Sequence, residues 1–397
     1  MRDPATGRHY TFTNISLGAE ALSLRGPFKA RGRFTFGNQQ TNFNFAASGR
    51  QADRQHFKLI VDANKQHPRA DLDANFVFSQ SRGRATLPTI AGQIKLSGRG
   101  NGVIALPWQL AGTLQAGLRK ATLSNLDLRF GDEDHAVDFA GAADFNFGAH
   151  PRVDATLTTH QMDLDRLLSA QDAPPAMQRL ADALTGLMRS DNLMVSGVPV
   201  SVTWSADTAV LGGKTLGGLS GDFAIADKET ASVRFAADGP GRSHLSLAGH
   251  IESGAAAGFK GHIAARADNA PRLVQWLRLN LPKDAALFGA LPIHSFDVSG
   301  TANLSQIGFV GENLSLRLDQ STLTGTVAYT KSVGGAAARL FADLSASKVA
   351  LDSVPDLSAL AGRTKAMDLS LRLLANVVKV SGLGQSDLDT GRITLRL

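Results

Sequence analysis

The 397-residue chain contains no cysteine, which excludes disulfide frameworks, thiolate nucleophiles and Cys-ligated zinc or iron–sulfur centres. Tryptophan and tyrosine are scarce, at 3 and 2 residues against 20 phenylalanines. That skew disfavours an outer-membrane barrel, whose interfacial girdles require both. Charged residues reach only 19%, below the roughly 25% usual in soluble domains. No run approaches the roughly 18–20 consecutive apolar residues of a membrane span. The N-terminal stretch 1–10 lacks the charged, apolar, small-residue order of a signal peptide. As written, the chain shows no export or anchoring signal, and its alternating final segment 392–397 reads as a strand cut from something longer.

What is present is a folding chain. Hydrophobic residues make up 43%, too many to leave in water as long disorder. The net charge of +6 brings anionic partners to mind. The densest cationic stretch, Lys29-Ala30-Arg31-Gly32-Arg33, alternates with small residues as an exposed strand face does, and no nucleic-acid partner is expected. Period-two alternation dominates elsewhere. Phe34 and Phe36 share a face, as do Phe43 and Phe45. Val137, Phe139, Phe145 and Phe147 fall on odd positions with polar residues between them, and Phe223 and Phe259 sit in similar runs. With turn signals such as Gly37-Asn38, Asp238-Gly239-Pro240-Gly241 and Gly334-Gly335, the pattern predicts about two dozen strands in antiparallel meanders.

Three segments carry helical spacing instead: Met177 to Met188, Asn269 to a stop near Pro282, and Ser353 to Leu360. Matching strand-to-helix corners precede them at Asp163-Leu164-Asp165, Asn269-Ala270-Pro271 and Leu351-Asp352-Ser353. These are loose β-rich repeats punctuated by a helix. The expected organisation is an N-terminal β segment over 1–168, a helical insertion over 169–197, and a C-terminal β segment over 198–397. The last carries helices near 270–281 and 353–361.

A search for chemistry yields little. The ten histidines form no His-x-His and no His-Glu-x-x-His, and His244, His250 and His262 are spaced too far apart to meet on one strand. Asp163 and Asp165 form a two-carboxylate motif, but their position before a helix predicts capping of free N–H groups. Gly131-Asp132-Glu133-Asp134-His135 lacks the ligand spacing of an EF-hand and reads as a hairpin turn. Gly218-Leu219-Ser220-Gly221 falls short of a nucleophile elbow, and no helix follows Gly98-Arg99-Gly100-Asn101-Gly102 to hold a phosphate. No catalytic, metal-binding or cofactor-binding residue is assigned, and the chain is expected not to be an enzyme.

Several segments resemble the AsmA-like family of Gram-negative envelope proteins. They are Asn14-Ile15-Ser16-Leu17-Gly18-Ala19 with Gly32-Arg33-Phe34-Thr35-Phe36, the corners Met162–Leu168 and Ala267–Leu273, and the closing Asp368–Leu373 with Gly391–Leu395. The likeness is one of pattern and covers nearly the whole chain. It implies a relative of TamB-like and bridge-like lipid-transfer proteins. The implied fold is mainly β: long, curved antiparallel meander sheets forming an elongated apolar groove, with three short helices. It further implies a periplasmic location, inner-membrane anchoring of the full-length protein through a helix this chain lacks, and phospholipid and outer-membrane components as partners.

The expected function is therefore non-enzymatic: an apolar groove supporting phospholipid transport or outer-membrane homeostasis. A two-chain lipid in water exposes roughly 30 methylenes at about 0.8 kcal/mol each, and an apolar strip removes most of that penalty. The candidate lining is Phe34, Phe36, Phe43, Phe45, Val137, Phe139, Phe145, Phe147, Phe223 and Phe259. The alternative is an assembly module of closed β-sandwiches that binds envelope proteins through sheet edges.

Overall fold

The computed structural model describes residues 12–23, 26–36, 39–63, 68–78, 80–81, 84–85, 88–100, 106–132, 134–148, 150–168, 179, 182, 186, 198–225, 227, 229–254, 257–280, 293–332, 337–351, 367–380 and 391–396. The chain divides into two compact units: Met1–His160 with Ser196–Trp204, and Gln161–Val195 with Ser205–Leu397.

Strand-forming alternation governs the first unit. Its strands are β1 (Phe12–Ala21), β2 (Phe28–Phe36), β3 (Gln39–Ala47), β4 (Arg54–Val61), β5 (Arg69–Val77), the two-residue hairpin β6 (Gln80–Ser81) and β7 (Arg84–Ala85), β8 (Thr89–Arg99), β9 (Pro107–Ala116), β10 (Lys120–Phe130), β11 (Val137–Asn146) and β12 (Arg152–Asp163). Apart from the β6–β7 hairpin, each strand pairs antiparallel with the next, from β1 to β12. The result is an open meander, and among the described residues no ladder closes β1 onto β12.

β13 (Val200–Leu211) leads into the second unit. There β14 (Lys214–Ile225), β15 (Thr230–Gly239), β16 (Ser243–Glu252), β17 (Gly258–Ala267), β18 (Phe296–Ser305), β19 (Gly308–Leu318), β20 (Ser321–Thr330) and β21 (Ala338–Leu351) again pair antiparallel in order. One step departs from the expected meander. β22 (Met367–Val380) lies parallel to β21, and β23 (Gly391–Arg396) pairs antiparallel with β22. A parallel neighbour needs a crossover of a dozen or more residues, and 352–366 supplies that length. Of the three expected helices, the second stands as α2 (Ala270–Asn280). Of the first, only residues 179, 182 and 186 are described, each helical; the third lies outside the described residues, as do the corner after Leu351 and the turns at Gly37-Asn38 and Gly334-Gly335. A four-residue helix, α1 (Leu164–Leu167), turns the corner after β12.

One local device recurs. Asn14, Asn125 and Asn313 adopt positive φ (50°, 47° and 51°), and Gly218 does likewise at 55°. The ladder register shifts at each of these places. Asparagine and glycine tolerate this left-handed geometry, and the extra residue forms a bulge. The residue after three of them, Leu126, Leu219 and Leu314, is buried to 4%, 3% and 4% exposure. The bulge therefore resets strand parity and returns an apolar side chain to the apolar face.

Candidate functional site: an apolar sheet face

Strand register joins the apolar positions into rows that cross the first unit. One row runs Phe28, Ala47, Phe57, Ala74, Gly92, Leu114, Leu123, Ala143, Ala155. A second runs Leu17, Gly32, Phe43, Val61, Ala70, Leu96, Leu110, Leu128, Phe139. Every member is apolar or glycine. The opposite face carries rows such as Lys29, Ala46, Lys58, Asp73, Gln93, Thr113, Ser124. In the second unit the row Ile225, Ala231, Ile251, Phe259, Leu304, Phe309, Tyr329, Leu340, Leu369 repeats the arrangement.

These faces are only partly covered. The row from Leu17 to Phe139 is half-buried or exposed at every position, whereas Phe57 and Leu123 in the neighbouring row are buried. Burial comes from lateral packing within the face. Phe57 reaches 2% exposure between Phe45 and Phe76, whose ring centroids lie 5.9 Å and 4.2 Å away, the latter stacked. A second cluster gathers Leu123, Leu126 and Ala143 with Ile94, Leu110, Leu114, Leu128, Phe145 and Leu157. Small residues set how closely the strands approach. A Cβ on Gly92 would come within 2.3 Å of the Ala74 Cα and the Asp73 carbonyl oxygen, so this position admits glycine alone without a backbone shift.

The phenylalanines and valine chosen from the sequence fall in these faces as follows. Phe34 and Phe43 meet at 6.1 Å, and Phe45 packs into the Phe57 cluster. Val137 is buried, while Phe139 pairs with Leu128. Phe145 belongs to the Leu123 cluster and stacks at 6.5 Å on Phe147, which is 51% exposed just past the end of β11. Phe223 packs on Ile225 and Ala231, and Phe259 pairs with Ile251 and Leu304. Phe36 ends β2, and its side chain lies outside the described residues. The aromatic choice missed the centre of the face: Phe57, Leu114, Leu123 and Leu126. The signal for the first three was the same period-two parity; for Leu126 the bulge hid it.

The polar motifs serve the fold. Asp163 caps α1, its carboxylate accepting from the Arg166 N–H at 2.9 Å. Asp165 acts differently from the expected helix cap: it accepts from the N–H groups of Gly212 and Gly213 at 2.7 and 2.8 Å, holding the β13–β14 turn. Asn269 caps α2 through the Arg272 N–H at 3.1 Å, and Trp276 Nε1–H donates to the Leu211 carbonyl at 3.1 Å. Asp319 accepts from the His294 and Ser295 N–H groups and the Ser295 hydroxyl. Partial burial pushes its carboxyl pKa up, but these donors outweigh that and hold it below the usual carboxylate range. Asp73 is held low mainly by its 2.7 Å hydrogen bond with His56. The acidic segment after Gly131 forms a turn closed by the His135 N–H on the Asp132 carbonyl. Gly218 to Gly221 lies inside β14. His244 pairs with Asp238 at 2.7 Å, and His250 and His262 stand on the polar face opposite Lys260 and Ala248.

Among the described residues no group of three His, Cys, Asp or Glu side chains is placed to hold a metal, and no helix is long and apolar enough to cross a membrane. No family model, curated protein or solved structure matches the chain.

Proposed function

We propose that the protein is a non-enzymatic, AsmA-like component of a Gram-negative envelope, whose apolar sheet faces carry the acyl chains of phospholipids across the periplasm. One observation carries this reading: the apolar row from Leu17 to Phe139 crosses the first unit from β1 to β11 with every member at least partly exposed. Such a face costs free energy in water, at about 25 cal/mol per Å² of apolar surface. A lipid tail is a ligand that recovers this cost by dispersion and burial, with no need for directional chemistry. The glycines on the same face support a concave surface, since a sheet bends most easily toward the side that lacks Cβ atoms. The closed-sandwich alternative predicts separate sheets, whereas within each unit the described strands outside the two-residue hairpin pair in sequence in one ladder.

The test is photocrosslinking from a probe at Phe139, paired with the double substitution Phe145→Asp and Phe147→Asp. The expected outcome is a phospholipid adduct on the parent, lost in a variant that remains folded. Absence of a parental adduct together with collapse of the variant would mean a sealed core, and would end this reading.

A further inference from the structure

The polar face of the first four strands carries a feature that lipid carriage does not use. On β2, Lys29, Arg31 and Arg33 point to the same side at alternate positions, opposite Glu20, Gly18 and Ser16 of β1. Two residues of strand separate neighbouring cations by about 7 Å, close enough for mutual repulsion. None of the three forms an ion pair or side-chain hydrogen bond among the described residues, whereas exposed cations on nearby strands are partnered: Lys58 with Asp73, Arg69 with Asp62 and Asp71, Arg54 with Asp53. Beside Lys29 and Arg31, and reaching Lys58 but not Arg33, lies a hollow of about 510 Å³. Gly18 and Ala46 leave its floor without bulk, while Lys29, Arg31, Lys58 and Asn44 wall it. Glu20 is its one acidic lining residue, against three cations.

We propose that this face docks the protein on an anionic phospholipid membrane, with a headgroup phosphate seated in the hollow. Guanidinium and ammonium donors satisfy phosphate oxygens by charge-assisted hydrogen bonds, and Asn44 offers a neutral donor beside them. A nucleic-acid strand would want several aromatic side chains to stack its bases, and the polar positions of β1–β4 carry only His56, which is paired with Asp73. A membrane also accounts for the neighbouring hairpin tip, where Leu22 is 87% exposed immediately after β1. An apolar side chain beside a cationic patch suits insertion at the headgroup boundary. Its cations stand on the opposite face from the lipid rows, so the proposal does not rest on the transport reading.

Co-sedimentation of the full chain with vesicles tests it. Vesicles of phosphatidylcholine alone are compared with vesicles containing about one-third phosphatidylglycerol. The parent is expected to prefer the anionic vesicles, and added salt is expected to weaken binding. The triple variant Lys29→Glu, Arg31→Glu, Arg33→Glu should lose about a hundredfold in partitioning. The milder triple change to Gln should lose less while guarding against misfolding, and thermal unfolding checks both. Lys260→Glu, an exposed cation on the polar face of β17, should bind as the parent does. Equal binding to both vesicles, or an unaffected triple variant, would overturn the proposal. So would saturable binding of inorganic phosphate, abolished by the triple variant, in a protein that ignores the vesicles. A failed Phe139 crosslink with intact vesicle binding would count against transport alone.

Discussion

The described parts of the two units differ in what accompanies the burial of their apolar residues. In the first, burial gathers in the middle of the face, where Ala47, Phe57 and Ala74 form one cluster and Leu123, Leu126 and Ala143 another. In the second, Ile225 and Ala231 pack with Phe223 at one end of the β14–β15 pair. Among its other described residues, Ala206, Leu219, Leu314 and Ala375 are buried mid-strand, and Ala209, Leu211, Leu216, Ala237, Ala267 and Ala270 are buried near strand ends and turns. There the Trp276 indole reaches the Leu211 carbonyl, the Asp165 carboxylate holds the Gly212-Gly213 turn, and the Asn269 N–H donates to the Gly241 carbonyl. The lesson is that an uncovered sheet has two routes to rigidity. Bulky side chains lean on one another within the face, or hydrogen-bonded corners tie the strand ends.

The sharpest break of this comparison is Phe57→Ala. It should destabilise the first unit by about 3 kcal/mol, because a well-packed ring leaves a cavity that its neighbours cannot fill. Hydrogen exchange followed by mass spectrometry should show faster exchange in β3, β4 and β5 with the second unit unchanged. Gly92→Val should act on the same strands at about 2 kcal/mol or more, through overlap with the Ala74 backbone. Equal loss in both units after either change would mean that mid-face packing is not local to the first.

Asp165→Ala is the corresponding break in the second unit, with an expected loss of about 2 kcal/mol from two N–H groups left without their acceptor. Asp163→Ala should cost about 1 kcal/mol as an ordinary cap, and Asp163→Asn much less. Exchange should quicken at Gly212 and Gly213 for the first and not for the second. A comparable response at those glycines would show that the two carboxylates share one role.

Asn125→Ala should cost about 1 kcal/mol, since alanine resists the left-handed geometry, while Asn125→Gly should be close to neutral. This position also marks where sequence reading stopped. Strand parity was legible across β2, β3 and β11, because each is a single uninterrupted period-two run. At Asn125 the bulge adds one residue, so Leu123 and Leu126 share a face although their spacing is three. A strict alternation rule places one of them on the wrong side. The Asp163 cap was legible because its partner is three residues away; the Asp165 turn contact was not, since its partners lie 47 and 48 residues on. The parallel β21–β22 pair was hidden for the same reason. Nothing local in either strand distinguishes a parallel neighbour from an antiparallel one. The row neighbours of the phenylalanines are likewise a matter of register, which brings Leu114 and Leu123 against glycine and alanine on adjacent strands.

The smallest expected effect concerns acid. Asp319 ties the turn after β19 to His294 and Ser295, and those donors hold its carboxyl below the usual range despite partial burial. A depressed folded-state pKa means that the unfolded chain takes up the proton first. The stability that Asp319 contributes is therefore complete above the unfolded value, about 3.9, and drains away as pH falls through the folded value. Asp319→Asn should consequently be less stable than the parent near neutral pH, with the gap narrowing below about pH 4. Asp73, Asp144 and Asp227 are depressed in the same direction, so the parent's own acid transition sums several groups. The parent-minus-variant difference isolates one of them, measured by urea unfolding followed by circular dichroism. A gap that stayed constant between pH 7 and pH 3 would show that the loss arises from the geometry of the turn and not from the charge. Acid would then act on the two units alike, and the corner-tied second unit would have no special sensitivity to it.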